Sequence, residues 1–447
     1  MTDLADESGD RLAVVLSGDT PQCLSGKFLS GRMIDDGTGK AQAEEVLNSL
    51  DEWKAKENVC AMCFDTTASN TGWERGAAPL IENGLKKALL WLPCRHHISE
   101  LFLKSSWETV FGIDKSPYYQ KFKDFKANWD NFEKTKFDVL DIEPWMQPRV
   151  LEVVQFCQNT LNSEKQPRDD YKECIELVLV TLGYPPSNFS FKKPGALHKA
   201  RFMAILIYSL KICLFRKVLK LPRAEQKKLE RFAAFSCLYY IKYWVMAPLA
   251  SEAPFADLTL YKDMLDYHDH DAPIAAAVLA KLRNHTWFFN QEYVAFNLFS
   301  NQVSDQIKMK IVDKLLIAKP PKKYKWGFPS VVKLPITKDQ GMQVCVSDFV
   351  GNGSFFMFDR MGFEKEWLRK PISTWRNDPS FCEMERYVKT LLICNDAAER
   401  GIKLVSDFID CLTKDSSDRE DLLQVVEAHR KQFPNVNKST LNNAFLV

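Results

Sequence analysis

Between residues 112 and 320 apolar positions recur at helical spacing, and strand-like alternation nearly vanishes. The segments 149–162, 171–182, 198–219, 224–250 and 273–297 carry most of this pattern. A helical stretch of that extent has to pack as a block, so any sheet must come from the chain on either side. Upstream, "RLAVVLSG" (11–18) and "CLSGKFLSG" (23–31) read as short strands parted by Gly18, Asp19 and Pro21. "KAQAEEVLNSLDEWKAK" (40–56) spaces Val46, Leu47, Leu50 and Trp53 as a helix does. "VCAMCF" (59–64) and "LLWLPC" (89–94) are short apolar runs of strand type, with "GAAPLIENGLKKAL" between them reading as a helix. "HHISELFLKSSWETVF" (96–111) returns to helical periodicity through Ile98, Leu101, Phe102 and Trp107. Strands alternating with helices predict parallel pairing through crossovers.

Downstream of the helical block, "LIAKPPKKYKWGFPSV" (316–331) is a basic connector punctuated by proline. "MQVCVSDFVGNGSFFMF" (342–358) reads as a short β patch, and "EMERYVKTLLICNDAAERGIKLVSDFIDCL" (383–412) as one long helix. The chain therefore divides into an α/β part at 1–111, an all-helical part at 112–320, and a connector with C-terminal helices at 321–447. No repeat is evident at solenoid periods.

Composition excludes several classes. With 46% hydrophobic and 26% charged residues the chain is a packed globular protein. A net charge of +2 announces no global nucleic-acid field, so any such surface must be local. Twelve cysteines without framework spacing suit free thiols in a reducing compartment, and the acidic start "MTDLADESGDR" has no signal-peptide core. "FMAILIYSLKICLF" (202–215) is interrupted by Lys211 and too short for a bilayer. The expectation is an intracellular protein, nuclear or cytoplasmic, without membrane contact.

Six features could carry chemistry. In "VCAMCFDTTASNTG" (59–72) Asp65 ends a strand and opens a small polar run, the position where α/β sheets bind ligands or metals. The plainer reading is a helix cap or an Asx-turn. On the helix expected at 383–412, Glu399 falls beside Val388, Leu392 and Ile402, either pointing into a site or snorkelling to water. "CRHH" (94–97) spaces Cys94 and His97 as C-x-x-H, and with Cys60 and Cys63 imitates a zinc signature. Positions 60 and 63 face opposite sides of a strand, so zinc is not expected and a buried structural role is. "DYHDHD" (266–271) precedes Pro273 and a new helix, which makes it a solvated loop with Asp271 as N-cap. "GTGK" (37–40) lacks the remaining residues of a P-loop, and "KPPKKYKW" (319–326) is a lone basic cluster with two aromatic rings.

Together, "CFDTTASNTG", "LLWLPCRHHISELFL" and "NDAAERGIKL" resemble a family of transposon-derived proteins that look like relatives of hAT-type DDE transposases. The resemblance covers nearly the whole chain. It implies a ribonuclease H-like mixed sheet interrupted by a long helical insertion. It also implies Asp65 with Asn70 after one strand, Cys94 and His97 after the next, and Glu399 with Arg400 in a late helix. In an active relative, Asp65 and Glu399 would be the second and third acids holding two Mg²⁺ or Mn²⁺ ions for phosphoryl transfer on DNA. The first acid should lie at the centre of a strand beside the one ending at Asp65. Asp3, Asp6 and Asp10 lack apolar residues on both sides, and Asp19 falls past the end of its strand. The expectation is therefore a chain without its first strand, catalytically inactive, retaining nucleic-acid or partner binding. The alternatives are an active Mg-dependent nuclease or transposase, and a structural module that self-associates or binds protein through its helical region.

Overall fold

The opening strands form antiparallel ribbons. β1 (Asp10–Arg11), β2 (Val14–Leu16), β3 (Lys27–Ser30) and β4 (Met33–Ile34) pair as β1 with β4 and β2 with β3. The strand expected at 11–18 is interrupted at Leu12 and Ala13, although Leu12 still donates its N–H to the Arg32 carbonyl at 3.1 Å across the β1–β4 ribbon. The computed structural model describes residues 10–18, 27–116, 119–163, 168–195, 197, 203–320 and 332–395. Within them, neither ribbon joins the parallel pair described next, so the single mixed sheet expected from sequence is replaced by three two-stranded units.

Helix α1 (Gly39–Glu52) starts at Thr38, whose hydroxyl accepts from Ala41 N–H at 3.3 Å. "GTGK" is thus a helix cap. α1 and the ribbons share a small core of Val14, Leu29, Leu50 and Ala55.

β5 (Ala61–Phe64) and β6 (Leu90–Pro93) are parallel, in register from Ala61 opposite Leu90 to Phe64 opposite Pro93. α2 (Ala68–Thr71) and α3 (Ala77–Leu85) lie between them in sequence. Every residue of β6 is buried, which is why its sequence is apolar throughout instead of alternating. The ladder continues past the strand ends, where Cys94 N–H donates to the Phe64 carbonyl at 2.7 Å.

α4 (Arg95–Phe111) leads into the helical block: α5 (Gln120–Ala127), α6 (Gln147–Ser163), α7 (Asp169–Thr181), α8 (Ala204–Leu214) and α9 (Arg223–Phe235). A π-helical turn at Ser236–Tyr240 joins α9 to α10 (Ile241–Met246), so the periodic stretch 224–250 changes pitch in its middle. α11 (Ala253–Tyr267), α12 (Ala272–Asn284), α13 (Gln291–Val294) and α14 (Asp305–Ile317) follow. One continuous core runs from Phe64 and Leu90 through this block to Val388. In α8, Lys211 is fully buried, with its ammonium 2.6 Å from Glu173 and 2.7 Å from the Lys192 carbonyl. Among the described residues no helix is long and apolar enough to cross a membrane.

"DYHDHD" is a loop only in part: Asp266 and Tyr267 end α11, with Tyr267 buried, and the exposed turn is His268–His270. Asp271 accepts from Ile274 N–H at the start of α12 and pairs with Arg231, while Asp266 and Asp269 both hold Lys338.

Two expectations need correction. The β patch at 342–358 contains no strand: α15 (Lys338–Gln343) is followed by 3₁₀ turns at Val346–Phe349 and Asn352–Phe355, then α16 (Phe356–Met361). Asp348 accepts from Cys345 N–H at 2.9 Å and Ser354 from Gly351 N–H at 3.1 Å. These side chains satisfy the backbone locally, in place of a ladder. The long helix at 383–412 also fails as one element. α17 (Pro379–Thr390) stops at Leu391, which is extended at φ −65°, ψ 121°. The chain then runs beside α4, with the Ile393 carbonyl accepting from Arg95 N–H at 2.9 Å. The placement of Glu399 beside Val388 and Leu392 assumed an unbroken helix and falls with it. Glu399 and Arg400 themselves lie outside the described residues, as do 321–331, most of the basic connector.

Candidate functional site

Asp65 follows the last residue of β5, and its carboxylate turns back on its own loop. Its Oδ1 accepts from Thr67 N–H at 3.0 Å, from the Thr67 hydroxyl at 2.5 Å and from Asn70 Nδ2 at 2.8 Å. This is the Asx-turn of the plainer reading, extended by Asn70 from α2. Two of the four positions expected at the end of the sheet, Asp65 and Asn70, are therefore bonded directly. Asn70→Ala removes one donor from a half-exposed carboxylate and is expected to lower unfolding free energy by about 1 kcal/mol, measured by urea titration.

The "CRHH" run divides its four side chains between two tasks. Cys94 is buried and its sulfur accepts from Asn395 N–H at 3.4 Å, pinning the returning chain against the end of β6. Arg95 is buried and reaches into the helical block. Its guanidinium pairs with Asp257 of α11, donates to the Ala247 carbonyl at 3.1 Å, and lies 4.8 Å from the Tyr243 ring centre. His96 stacks on Trp244 with ring centres 3.8 Å apart and planes 8° apart, its Nε2 lying 3.1 Å from the Trp244 carbonyl oxygen. His97 is half-buried and within electrostatic reach of Asp65. Burial holds its pKa below the ordinary imidazole range, and the Asp65 charge partly offsets that.

The helical block adds a residue that no sequence motif marks. His285, the residue that follows α12, is within electrostatic reach of His97, whose charge opposes its own. Burial first, then His97 and Lys281, push the His285 pKa down to about 4. Its Nδ1 is buried without a hydrogen-bond partner, as is the hydroxyl of Thr66 beside Asp65. In sequence His285 sits inside the stretch 273–297, which reads as one helix and gives it no distinction. Asp65, which follows β5, and His97 of α4 are thus coupled by charge, and His97 is coupled in turn to His285 of the helical block.

Zinc ligation by the four-residue set is not how these side chains are used. Cys60 Sγ lies 3.0 Å from the Tyr387 hydroxyl, Cys63 packs against the main core, and Cys94 holds Asn395. Nor do the described residues fit a pair of Mg²⁺ or Mn²⁺ ions. Oδ1 of Asp65 already accepts three hydrogen bonds, and among the described residues no three His, Cys, Asp or Glu side chains are placed to hold a metal. Two-metal chemistry needs converging carboxylates, and the described residues do not supply that set around Asp65.

Compared with known proteins, the chain matches no family model and no curated protein.

Proposed function

We propose that the chain is a transposase-derived protein with a ribonuclease H-like core that binds nucleic acid without cutting it. One arrangement supports this reading. β5 and β6 run parallel with two helices between them; Asp65 and Asn70 follow the first strand, and Cys94 and His97 follow the second. These residues come from separate stretches, yet they gather at one end of the sheet in the order that the resemblance to hAT-type transposases implies. The described chain also returns, at Asn395, to the same end of β6. The three hydrogen bonds that Asp65 Oδ1 accepts within its own loop support a reading without cutting.

The test is binding and nicking of DNA by the full chain. The expected result is binding that weakens as salt rises, with no Mg²⁺- or Mn²⁺-dependent nicking, and Asp65→Asn leaving affinity within about twofold. Nicking that Asp65→Asn abolishes would establish the active enzyme instead. Failure to bind either single-stranded or duplex DNA at low salt would sink the nucleic-acid reading and favour a protein-interaction module.

A further inference from the structure

The loop that follows the Asp65 turn presents an aromatic ring that the fold does not use. Trp73 is 80% exposed, against 40% for Trp53, and among the described residues it is the most exposed tryptophan. Its carrier is tightly built. Gly72 N–H donates to the Ala68 carbonyl at 2.9 Å and closes α2, and Gly76 N–H donates to the Gly72 carbonyl at 2.9 Å. A Cβ on Gly76 would sit 2.5 Å from Gly72 N and 2.6 Å from the Asn70 carbonyl oxygen, and one on Gly72 would sit 2.7 Å from the Ala68 oxygen. Both glycines are therefore required by backbone contact. Gly39 of α1 closes the loop from the other side, since a Cβ there would meet the Arg75 and Ser69 carbonyl oxygens at 2.2 and 2.5 Å. A loop clamped in this way fixes Trp73 beside α2, whose Asn70 holds Asp65.

We propose that Trp73 is a stacking platform for an unpaired base of a single-stranded nucleic acid, with Arg75 taking a flanking phosphate. The inference rests on the nucleic-acid reading above and names a contact for it. One observation and one general principle favour a base over a protein partner. The residues that follow Trp73 on the loop, Glu74 and Arg75, are both exposed and charged, so along the chain the ring has no apolar neighbour on that side. Every base has a π-face that a lone aromatic ring can accept, and an adjacent guanidinium serves both stacking and phosphate contact. The two exposed charges that follow Trp73, Glu74 and Arg75, cancel and make no basic stripe. Stacking, not charge, must therefore lead the contact.

That balance sets the test. The full chain is titrated against fluorescein-labelled oligothymidylate by anisotropy at several salt concentrations, with Trp73→Ala, Trp73→Phe and Arg75→Gln alongside, each checked for native melting. Trp73→Ala is expected to weaken binding about tenfold or more with an unchanged salt slope, and Trp73→Phe to stay within about threefold. Arg75→Gln should reduce the log–log salt slope by about 0.7, the value for one phosphate of a single strand. If the wild type binds and Trp73→Ala binds within about twofold of it, the stacking proposal falls while the nucleic-acid reading stands. If the wild type itself fails to bind, the nucleic-acid reading falls, and the Trp73 proposal with it.

Discussion

Arg95→Ala is expected to cost about 3–5 kcal/mol of unfolding free energy, and Asp257→Ala about the same, as read by urea denaturation. Both side chains are buried, at 0% and 7% exposure, so removing either strands a charge inside the protein. Arg95 belongs to α4, directly after β6, and Asp257 to α11, so this pair latches the strands to the helical block. Tyr243 donates its hydroxyl hydrogen to the same Asp257 oxygen at 2.9 Å, and it would lose its partner in Asp257→Ala as well. Burial opposes the Arg95 charge, but Asp257 and Tyr243 more than restore it, and its pKa moves up. Burial also pushes the Asp257 carboxyl above its ordinary range against the pull of Arg95, which marks how much solvation the pair gives up. The double variant Arg95→Met with Asp257→Leu should therefore recover most of the loss, because no uncompensated charge remains. Single variants within about 1 kcal/mol of the wild type would show that the latch does not hold the two parts together.

Local rules make part of this architecture legible. β5 and β6 stand out as short apolar runs, and Asp65, Thr67 and Asn70 as turn-formers at fixed offsets, because the Asx-turn is a contact between near neighbours. The cap at Thr38 and the cap at Asp271 are readable for the same reason. What escapes depends on distant partners. "LLIC" after α17 continues a helical pattern, yet the chain there is extended, with the Ile393 carbonyl held by Arg95 N–H. The β patch fails because Asp348 and Ser354 offer the backbone a local alternative that alternation of apolar residues does not reveal. His285 comes within electrostatic reach of His97 through the packing of α12 on α4, and Arg95 looks like the polar member of a motif until α11 supplies Asp257. In "CRHH" the residue types are visible in the sequence, but the division of labour among them is not.

The second large effect is a loss of stability on acidification that belongs to His285. Its folded-state pKa lies near 4, against an ordinary 6.5, so the unfolded chain takes up this proton first as pH falls. A lowered imidazole pKa means stability that is fully present above about pH 6.5, drains away between 6.5 and 4, and changes no further below. His97 shifts in the same direction and adds to the window, while the Asp65 charge beside it works the other way. The Lys281 charge also opposes charging of His285. Because the ring is partly open to solvent, the full shift has to be discounted, leaving about 2 kcal/mol for His285. The measurement is unfolding free energy at about pH 7 and about pH 4.5 for the wild type and for His285→Asn, with the two pH differences compared. His285→Asn should lose about 2 kcal/mol less than the wild type over that interval, since it removes the titrating ring but leaves every carboxylate in place. Equal losses in the two proteins would mean that His285 titrates as an ordinary surface histidine and is not shielded by burial.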